Sequence, residues 1–462
     1  MNNDDTIVAL ATASGTGAIA VIRLSGSKAF DIAHHVFQGK DITKTKSHTI
    51  HFGHIVRYKQ VIDEVLVSVF RGPNSFTKED VIEISTHGSP FVVQQVMELL
   101  IDQGARPAEA GEFTKRAFLN GRFDLAQAEA VADLINSDSA AAHKTAMNQM
   151  RGGFSDEIKE LRAQLVQFAS LVELELDFGE EDVEFADRGQ LYELVRQTHR
   201  AVFKLLDSFR LGNVLKEGIP TVIAGRPNAG KSTLLNCLLN EERAIVSDVP
   251  GTTRDIIEDE ISLEGIKFRF IDTAGLRETI DKVEAIGVER TRERMKKAAL
   301  VMYIFDVNNA VADGSGSNDE REDMQEVVDE LSKLEVPFIL VGNKIDLGDT
   351  EKFSVLKDVP MVYISAGEKQ NLDELKDSLL EAANLESISS NSTVVTNARH
   401  YTSLRNTQQS LEKVMEGMDL GITGDLLAED IRMSLHHLGE ITGEITTDDL
   451  LDNIFSKFCI GK

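Results

Sequence analysis

The chain has 462 residues, room for about three domains of ordinary size, and carries 49 Lys and Arg against 76 Asp and Glu, a net charge of −27. A surface that acidic repels phosphate backbones and argues against tight, unaided nucleic-acid binding. Two cysteines, Cys237 and Cys459, build no disulfide framework, no apolar run reaches membrane-helix length, and the acidic start Met1-Asn2-Asn3-Asp4-Asp5 has neither signal nor transit character, so a reducing cytoplasm is expected.

Residues 1–118 read as an N-terminal α/β domain of nearly balanced charge, 12 Lys and Arg against 13 Asp and Glu. The apolar runs 18–22, 65–70 and 81–84 have the length and composition of strands, and 90–101 has the period of a helix. Residues 85–90 read as a donor-rich turn between strand and helix, more often structural than a pocket. His34, His35 and His87 lack metal-ligand spacing and are read as surface or core histidines.

From residue 124 the texture changes. Residues 124–135 are rich in Ala, Leu, Gln and Glu; Ile158, Leu161, Leu165, Phe168 and Val172 recur at steps of three and four, as do Leu191, Leu194, Val195, Val202, Leu205 and Phe209. Each set makes the single apolar stripe of an amphipathic helix, so 119–215 is expected to be the first part of a helical bundle. The acidic run 180–184 reads as a solvated turn.

At 225–232 stands Gly-Arg-Pro-Asn-Ala-Gly-Lys-Ser, between an apolar run at 220–224 and a helical run at 233–239. Gly225 followed after four residues by Gly230-Lys231-Ser232 is the spacing of a phosphate-binding loop. Its backbone, from Asn228 and Ala229 to Thr233, can turn N–H groups onto phosphate oxygens at a helix N-terminus whose dipole favours anions. Lys231 supplies a point charge for the β and γ phosphates, and Ser232 a hydroxyl for magnesium.

Three further motifs follow in order. Asp272-Thr273-Ala274-Gly275 ends the alternating run 268–271; its aspartate can hold a magnesium water shell and its glycine can sense the γ-phosphate. Asn343-Lys344-Ile345-Asp346 follows the strand 338–341. A carboxylate there accepts from both N1–H and the exocyclic amine of guanine, a donor pair adenine lacks. Ser365-Ala366 follows the strand 361–364 and can close over the base. Four motifs in order specify GTP. Strands and helices alternate over 216–385, which implies a Ras-like, mainly parallel, doubly wound sheet with ligand at the strands' carboxyl ends. A polar linker at 386–392 and renewed helical texture at 404–418 and 426–438 make 386–462 the second part of the helical domain, with the GTPase inserted into it.

Ras-like proteins place a water-orienting glutamine where this chain has Leu276. No arginine finger stands within the motifs either. Asn228 and the oxygen-rich stretch Ser247-Asp248-Val249-Pro250-Gly251-Thr252-Thr253-Arg254-Asp255 can instead hold a potassium ion beside the β and γ phosphates, where it would neutralise developing charge.

Other stretches join these motifs: Arg23; Phe76-Thr77; Glu79-Asp80; the run 107–130 with Gly111-Glu112-Phe113 and Ala117-Phe118-Leu119-Asn120-Gly121; Leu438-Gly439-Glu440-Ile441-Thr442-Gly443-Glu444; and Cys459-Ile460-Gly461-Lys462. Together they resemble the MnmE (TrmE) family of tRNA-modification GTPases over essentially the whole chain. As a prenylation box the last tetrapeptide fits poorly.

The resemblance implies a homodimer built through the N-terminal domains, which bind a one-carbon tetrahydrofolate, the 5-formyl or 5,10-methylene form. It implies a flavoprotein (FAD) partner of the MnmG (GidA) family in a heterotetramer that contacts tRNA largely through that partner. Together they add a (carboxymethyl)aminomethyl-type group to C5 of the wobble uridine of certain tRNAs. Residue by residue, it puts Arg23, Glu83, Arg122 and Lys462 at the folate, Ser232 and Thr253 at magnesium, and Asn228, Ser247, Val249 and Thr252 at potassium. Glu284 matches a water-activating carboxylate, and Cys459 matters for the modification as nucleophile or structural thiol.

Two rival readings stand. A ribosome-assembly switch shares the phosphate loop and the Leu276 feature but usually carries a basic RNA-binding module after the GTPase, whereas 386–462 holds 6 Lys and Arg against 12 Asp and Glu. The other is a folate-dependent enzyme that GTP merely regulates.

Overall fold

The chain opens with β1 (Ile7–Leu10), β2 (Ile19–Ser25), α1 (Ala29–Val36), β3 (Phe37–Gly39), β4 (Thr49–Arg57), β5 (Gln60–Phe70), β6 (Val81–His87), α2 (Pro90–Asp102) and β7 (Arg106–Pro107). The computed structural model describes residues 5–177, 188–242, 259–271, 293–311, 322–347, 359–383, 393–422 and 424–461. The seven strands form one sheet in the order β3-β4-β5-β6-β2-β1-β7, antiparallel except where β1 meets β7. Strand alternation sets its faces. Ile22, Leu24, Val65, Val67, Val69, Ile82 and Ile84 share a core with Ala33 and Val36 of α1 and Val96 and Leu100 of α2.

The three expected strands and the helix are present. Residues 85–87 continue β6, so the expected turn shrinks to Gly88 and Ser89: cross-strand pairing with β2 outweighs the local turn chemistry. Patterning misses β4, because Ile50 and Phe52 are exposed on the opposite face and alternate with His51 and Gly53.

Next come α3 (Glu112–Leu119), α4 (Leu125–Asn136), α5 (Ala140–Met150), α6 (Gly153–Asp177) and α7 (Arg188–Glu217). Ile158, Leu161, Leu165 and Phe168 of α6 are buried, as are Val195, Val202 and Leu205 of α7, which is the stripe their spacing predicts. The side chains of Val172 and Leu191, the acidic run 180–184 and the linker 386–392 lie outside the described residues.

The remaining elements are β8 (Ile219–Ala224), α8 (Lys231–Glu242), β9 (Asp259–Leu263), β10 (Ile266–Phe270), β11 (Leu300–Asp306), the short pair β12 (Ala310–Val311) and β13 (Glu322–Asp323), α9 (Met324–Ser332), β14 (Phe338–Asn343), β15 (Met361–Ile364), α10 (Leu372–Ala382), α11 (Ala398–Asp419), α12 (Gly424–Thr442) and α13 (Asp448–Phe455). The second large sheet runs β15-β14-β11-β8-β10-β9, parallel throughout except for β9. It is buried on both faces: Ile219 and Ile223 of β8 join one core with Leu234 and Leu238 of α8, while Val222 and Ala224 join another with Val328 and Leu331 of α9. This is the doubly wound arrangement expected of alternating strands and helices.

By internal contact the chain forms two units: Met1–Ala132, Asn148–Arg200 and Ser403–Lys462 in one, Asp133–Met147 and Ala201–Thr402 in the other. In the first, α12 packs on α6, and α13 packs on α3. Among the described residues no helix is long and apolar enough to cross a membrane.

Candidate functional site

In the second unit β8 ends at Ala224 and α8 starts at Lys231, which leaves the loop 225–230 between them. Gly225, Asn228 and Gly230 have φ of 137°, 63° and 102°. Left-handed residues this close together curl the backbone into an anion-binding turn. Only glycine fits at 230, where a Cβ would lie 2.1 Å from the Asn343 side-chain nitrogen. Lys231 Nζ donates to the carbonyls of Gly225 (2.7 Å) and Arg226 (2.8 Å), which sets its ammonium across the loop. Ser232 and Thr233 follow in the first turn of α8, where the N-terminal amide donors and the helix dipole favour phosphate. Asn228 is exposed in the same loop.

The base-recognition residues meet this loop through Asn343, at the end of β14 and 2 % exposed. Its Nδ2 donates to Ala229 O at 2.8 Å, and its Oδ1 accepts the Ala366 N–H at 3.0 Å. One buried amide therefore ties the phosphate loop to the segment after β15. Ser365 Oγ donates to Asp346 Oδ1 at 2.6 Å and accepts the Glu368 N–H at 3.2 Å, so the carboxylate keeps its other oxygen for a ligand's donors. Lys344 is left-handed, with φ of 67°, and its Nζ is 2.7 Å from Asp306 Oδ2.

One residue here, Asp306, escaped the sequence reading. Asp306 closes β11 and accepts from Asn308 N (2.9 Å), Asn308 Nδ2 (3.0 Å) and Lys344. Burial pushes the Asp306 carboxyl up, but the hydrogen bonds from Lys344 and Asn308 and the lysine's charge outweigh it, so its pKa falls below the usual value. An aspartate ending an apolar strand gives a weak local signal for this role. Cys237 is half-buried on α8 and donates its thiol to Ala366 O at 3.1 Å. Ser247, Asp248, Val249, Pro250, Gly251, Thr252, Thr253, Asp272, Thr273, Ala274, Gly275, Leu276, Glu284 and Lys462 lie outside the described residues.

A second constellation lies in the first unit. Arg23 of β2 and Glu83 of β6 are cross-strand partners, with Nε 2.8 Å from Oε1. The Arg23 guanidinium lies 5.5 Å from the Phe76 ring centroid, and that of Arg122 lies 5.0 Å from the same ring. Arg23 Nη1 also donates to Gly461 O at 3.4 Å. The C-terminal tail docks here: Ile460 bridges to Ala110, Gly111 N donates to Cys459 O at 3.4 Å, and a Cβ on Gly461, at φ 93°, would strike Leu10 O at 2.2 Å. Arg23, Glu83 and Arg122 are thus gathered beside the tail, while Cys459 is exposed. Two cations, one carboxylate and an aromatic ring suit a ligand with an amino-pyrimidine edge and an anionic tail.

Behind this constellation is a charge network that the sequence reading did not find. Arg116 bonds to Glu112 (3.0 Å), Asp5 (2.5 Å) and Glu79 (3.3 Å), and Arg106 bonds to Glu112 (2.6 Å) and Asp5 (2.7 Å). Burial raises the Glu112 carboxyl, but hydrogen bonds from Arg106, the Glu109 amide and Arg116 prevail and hold its pKa below the ordinary value. His35 Nδ1 pairs with Asp31 O at 2.6 Å, and His87 with Asp63 at 2.6 Å.

A phosphate loop tied by one asparagine to an Asn-Lys-x-Asp platform, at the carboxyl ends of a doubly wound sheet, defines a guanine-nucleotide-binding domain of the P-loop class. Known proteins carry the assignment further. The family model of the MnmE helical domain matches residues 125–459, and that of the GTP-binding protein TrmE N-terminus matches residues 6–122. The tRNA modification GTPase MnmE of Cytophaga hutchinsonii is 60% identical over 100% of this chain and 98% of its own length. Those of Flavobacterium psychrophilum (54% identical, 99% of both chains) and Bacteroides thetaiotaomicron (48%, 100% of both) are also similar end to end. The chain belongs to the MnmE family of tRNA modification GTPases.

Proposed function

We propose that this chain is a potassium-dependent cytoplasmic GTPase. Working with an MnmG-family flavoprotein, it adds a (carboxymethyl)aminomethyl-type group to C5 of the wobble uridine of certain tRNAs. The observation that carries the GTP part is the Asn343 amide, bonded at once to Ala229 O and the Ala366 N–H, because it fixes a base pocket to a phosphate pocket. Family membership supports the tRNA part and weighs against a ribosome-assembly switch. GTP sits in the domain 216–385, inserted between helical segments 119–215 and 386–462. The N-terminal domain 1–118 pairs two copies and takes the one-carbon folate, as heterotetramer with the flavoprotein that carries most of the tRNA contact.

The donor set fits the cations. Ser232 stands at the head of α8, where its hydroxyl with that of Thr253 would hold magnesium. Asn228 is exposed in the left-handed part of the loop, so its amide oxygen, with Ser247, Val249 and Thr252, would take potassium. When bound, that cation supplies the positive charge that an arginine finger brings elsewhere. Lys231 and the loop amides hold the β and γ phosphates, Asp346 reads the base, and Glu284 orients the attacking water. Arg23, Glu83, Arg122 and Lys462 bind the folate, with Cys459 beside them.

The test is mass spectrometry of wobble uridines from cells lacking the protein. Loss of the C5 group is expected. Intact wobble uridines together with a ribosomal-subunit maturation defect would overturn the reading in favour of an assembly switch.

A further inference from the structure

Residues Asp133–Met147 group by their contacts with the nucleotide-binding unit, although the residues on either side of them do not. What they hold is the β9–β10 hairpin. Glu264 and Gly265 turn that hairpin with φ of 48° and 81°, the paired left-handed turn that matches strand twist. The Gly265 carbonyl accepts the Ala141 N–H at 3.2 Å, and Ser139 Oγ accepts the Ala142 N–H at 3.1 Å. The first amides of a helix have no partner of their own, so the hairpin turn and Ser139 together cap α5. The fit is close: a Cβ on Gly265 would lie 2.8 Å from that of Ala140. Alongside, Lys267 of β10 is buried, with its ammonium 2.6 Å from Asp138 Oδ2 and 3.5 Å from Glu260 Oε1. Lys216 near the end of α7 reaches Asp133 at 2.7 Å.

The hairpin's place in the sequence gives this clasp a consequence. It leaves the 247–255 stretch and leads directly into Asp272-Thr273-Ala274-Gly275. It is therefore the covalent bridge between the two stretches whose residue types point to the cations and the γ-phosphate. A nucleotide-dependent shift of either stretch would reach a hairpin whose turn caps α5. The 133–147 segment is also continuous, through α4 and α5, with chain that belongs to the other unit.

We propose that Lys267 and Asp138 are positioning residues of the coupled reaction: they lock the β9–β10 hairpin to the head of α5 and so pass the nucleotide state to the 133–147 segment. The proposal rests on the reading above, that GTP turnover serves tRNA modification. Neither residue touches the nucleotide loop, so hydrolysis and coupling separate. In the full chain, hydrogen exchange at amides 140–147 should differ between GDP and a non-hydrolysable GTP analogue. Lys267→Glu or Asp138→Lys should abolish that difference and lower wobble-uridine modification about tenfold, within the usual range of coupling energies, while GTP hydrolysis stays within about twofold. The charge-swapped pair Asp138→Lys with Lys267→Glu should restore both, and Asp138→Asn serves if the reversals fold poorly. Equal exchange in the two nucleotide states of the native chain would overturn the proposal, as would full modification by the single variants. Exchange reads the clasp even where the tRNA reading fails, so the two failures are distinguishable.

Discussion

Asn343 makes two hydrogen bonds from one buried side chain, and both go to backbone atoms of other loops. That is why its spacing from the phosphate loop was legible: a motif fixed by ligand geometry survives as a fixed set of residue types. Asp346, held on one oxygen by Ser365, leaves the other for guanine's donors. Asp346→Asn is expected to weaken GTP about a hundredfold and to gain xanthine nucleotides, since a carboxylate only accepts, whereas an amide can donate to the carbonyl that xanthine carries in place of guanine's amine. Unchanged guanine selectivity in a competition assay would count against it. Asp306 had no such signature, because its partner Lys344 is assigned by motif while the aspartate looks like any strand end. Losing a charge-assisted bond to a left-handed lysine costs about 1.5–3 kcal/mol. Asp306→Asn should therefore raise the Kd of GTP and GDP alike roughly tenfold, with kcat at saturation unchanged.

Among the elements, strands and helices with one regular apolar face were readable, and those shaped by distant partners were not. β4 exposes Ile50 and Phe52, and the tail 459–461 is placed by contacts with Leu10, Arg23, Ala110 and Gly111. Nothing within the tetrapeptide tells where it docks; the resemblance marked it, and the first unit's packing places it. Gly461→Ala puts a Cβ onto Leu10 O in a left-handed residue and should lift the tail. Folate affinity is expected to drop about tenfold while the melting temperature moves by about 2 °C or less, because only a chain end is released. Unaltered folate binding in calorimetry would show the tail to be irrelevant there. The network that holds α3 gives a pH prediction. The Glu112 and Asp5 carboxyls are both depressed, so their stabilisation is complete above the unfolded carboxylate pKa and lost as pH falls through the folded value. Denaturant midpoints should fall as pH is lowered from about 5 to 3. Glu112→Gln should flatten that fall and cost about 3 kcal/mol at neutral pH, since it leaves the buried Arg116 short of a charged partner. A Glu112→Gln chain with the same acid profile as the native one would contradict this.

At the scale of the molecule, one unit carries the phosphate loop and the Asn-Lys-x-Asp platform tied to it, and the other gathers Arg23, Glu83 and Arg122 beside the C-terminal tail. The alternation of strands and helices made the doubly wound sheet readable. The attachment of 133–147 to that sheet was hidden, because it depends on a hairpin turn meeting a helix start more than a hundred residues away in sequence. The proposed machine hydrolyses GTP with a borrowed alkali cation and uses its motion for chemistry elsewhere. Its most direct test is single-turnover GTP hydrolysis by the full chain in potassium and in sodium chloride at equal ionic strength. Hydrolysis should run about a hundredfold faster in potassium, the scale of one preorganised charge at the reacting phosphate, and Asn228→Ala should erase the difference. Equal rates in the two salts would contradict it.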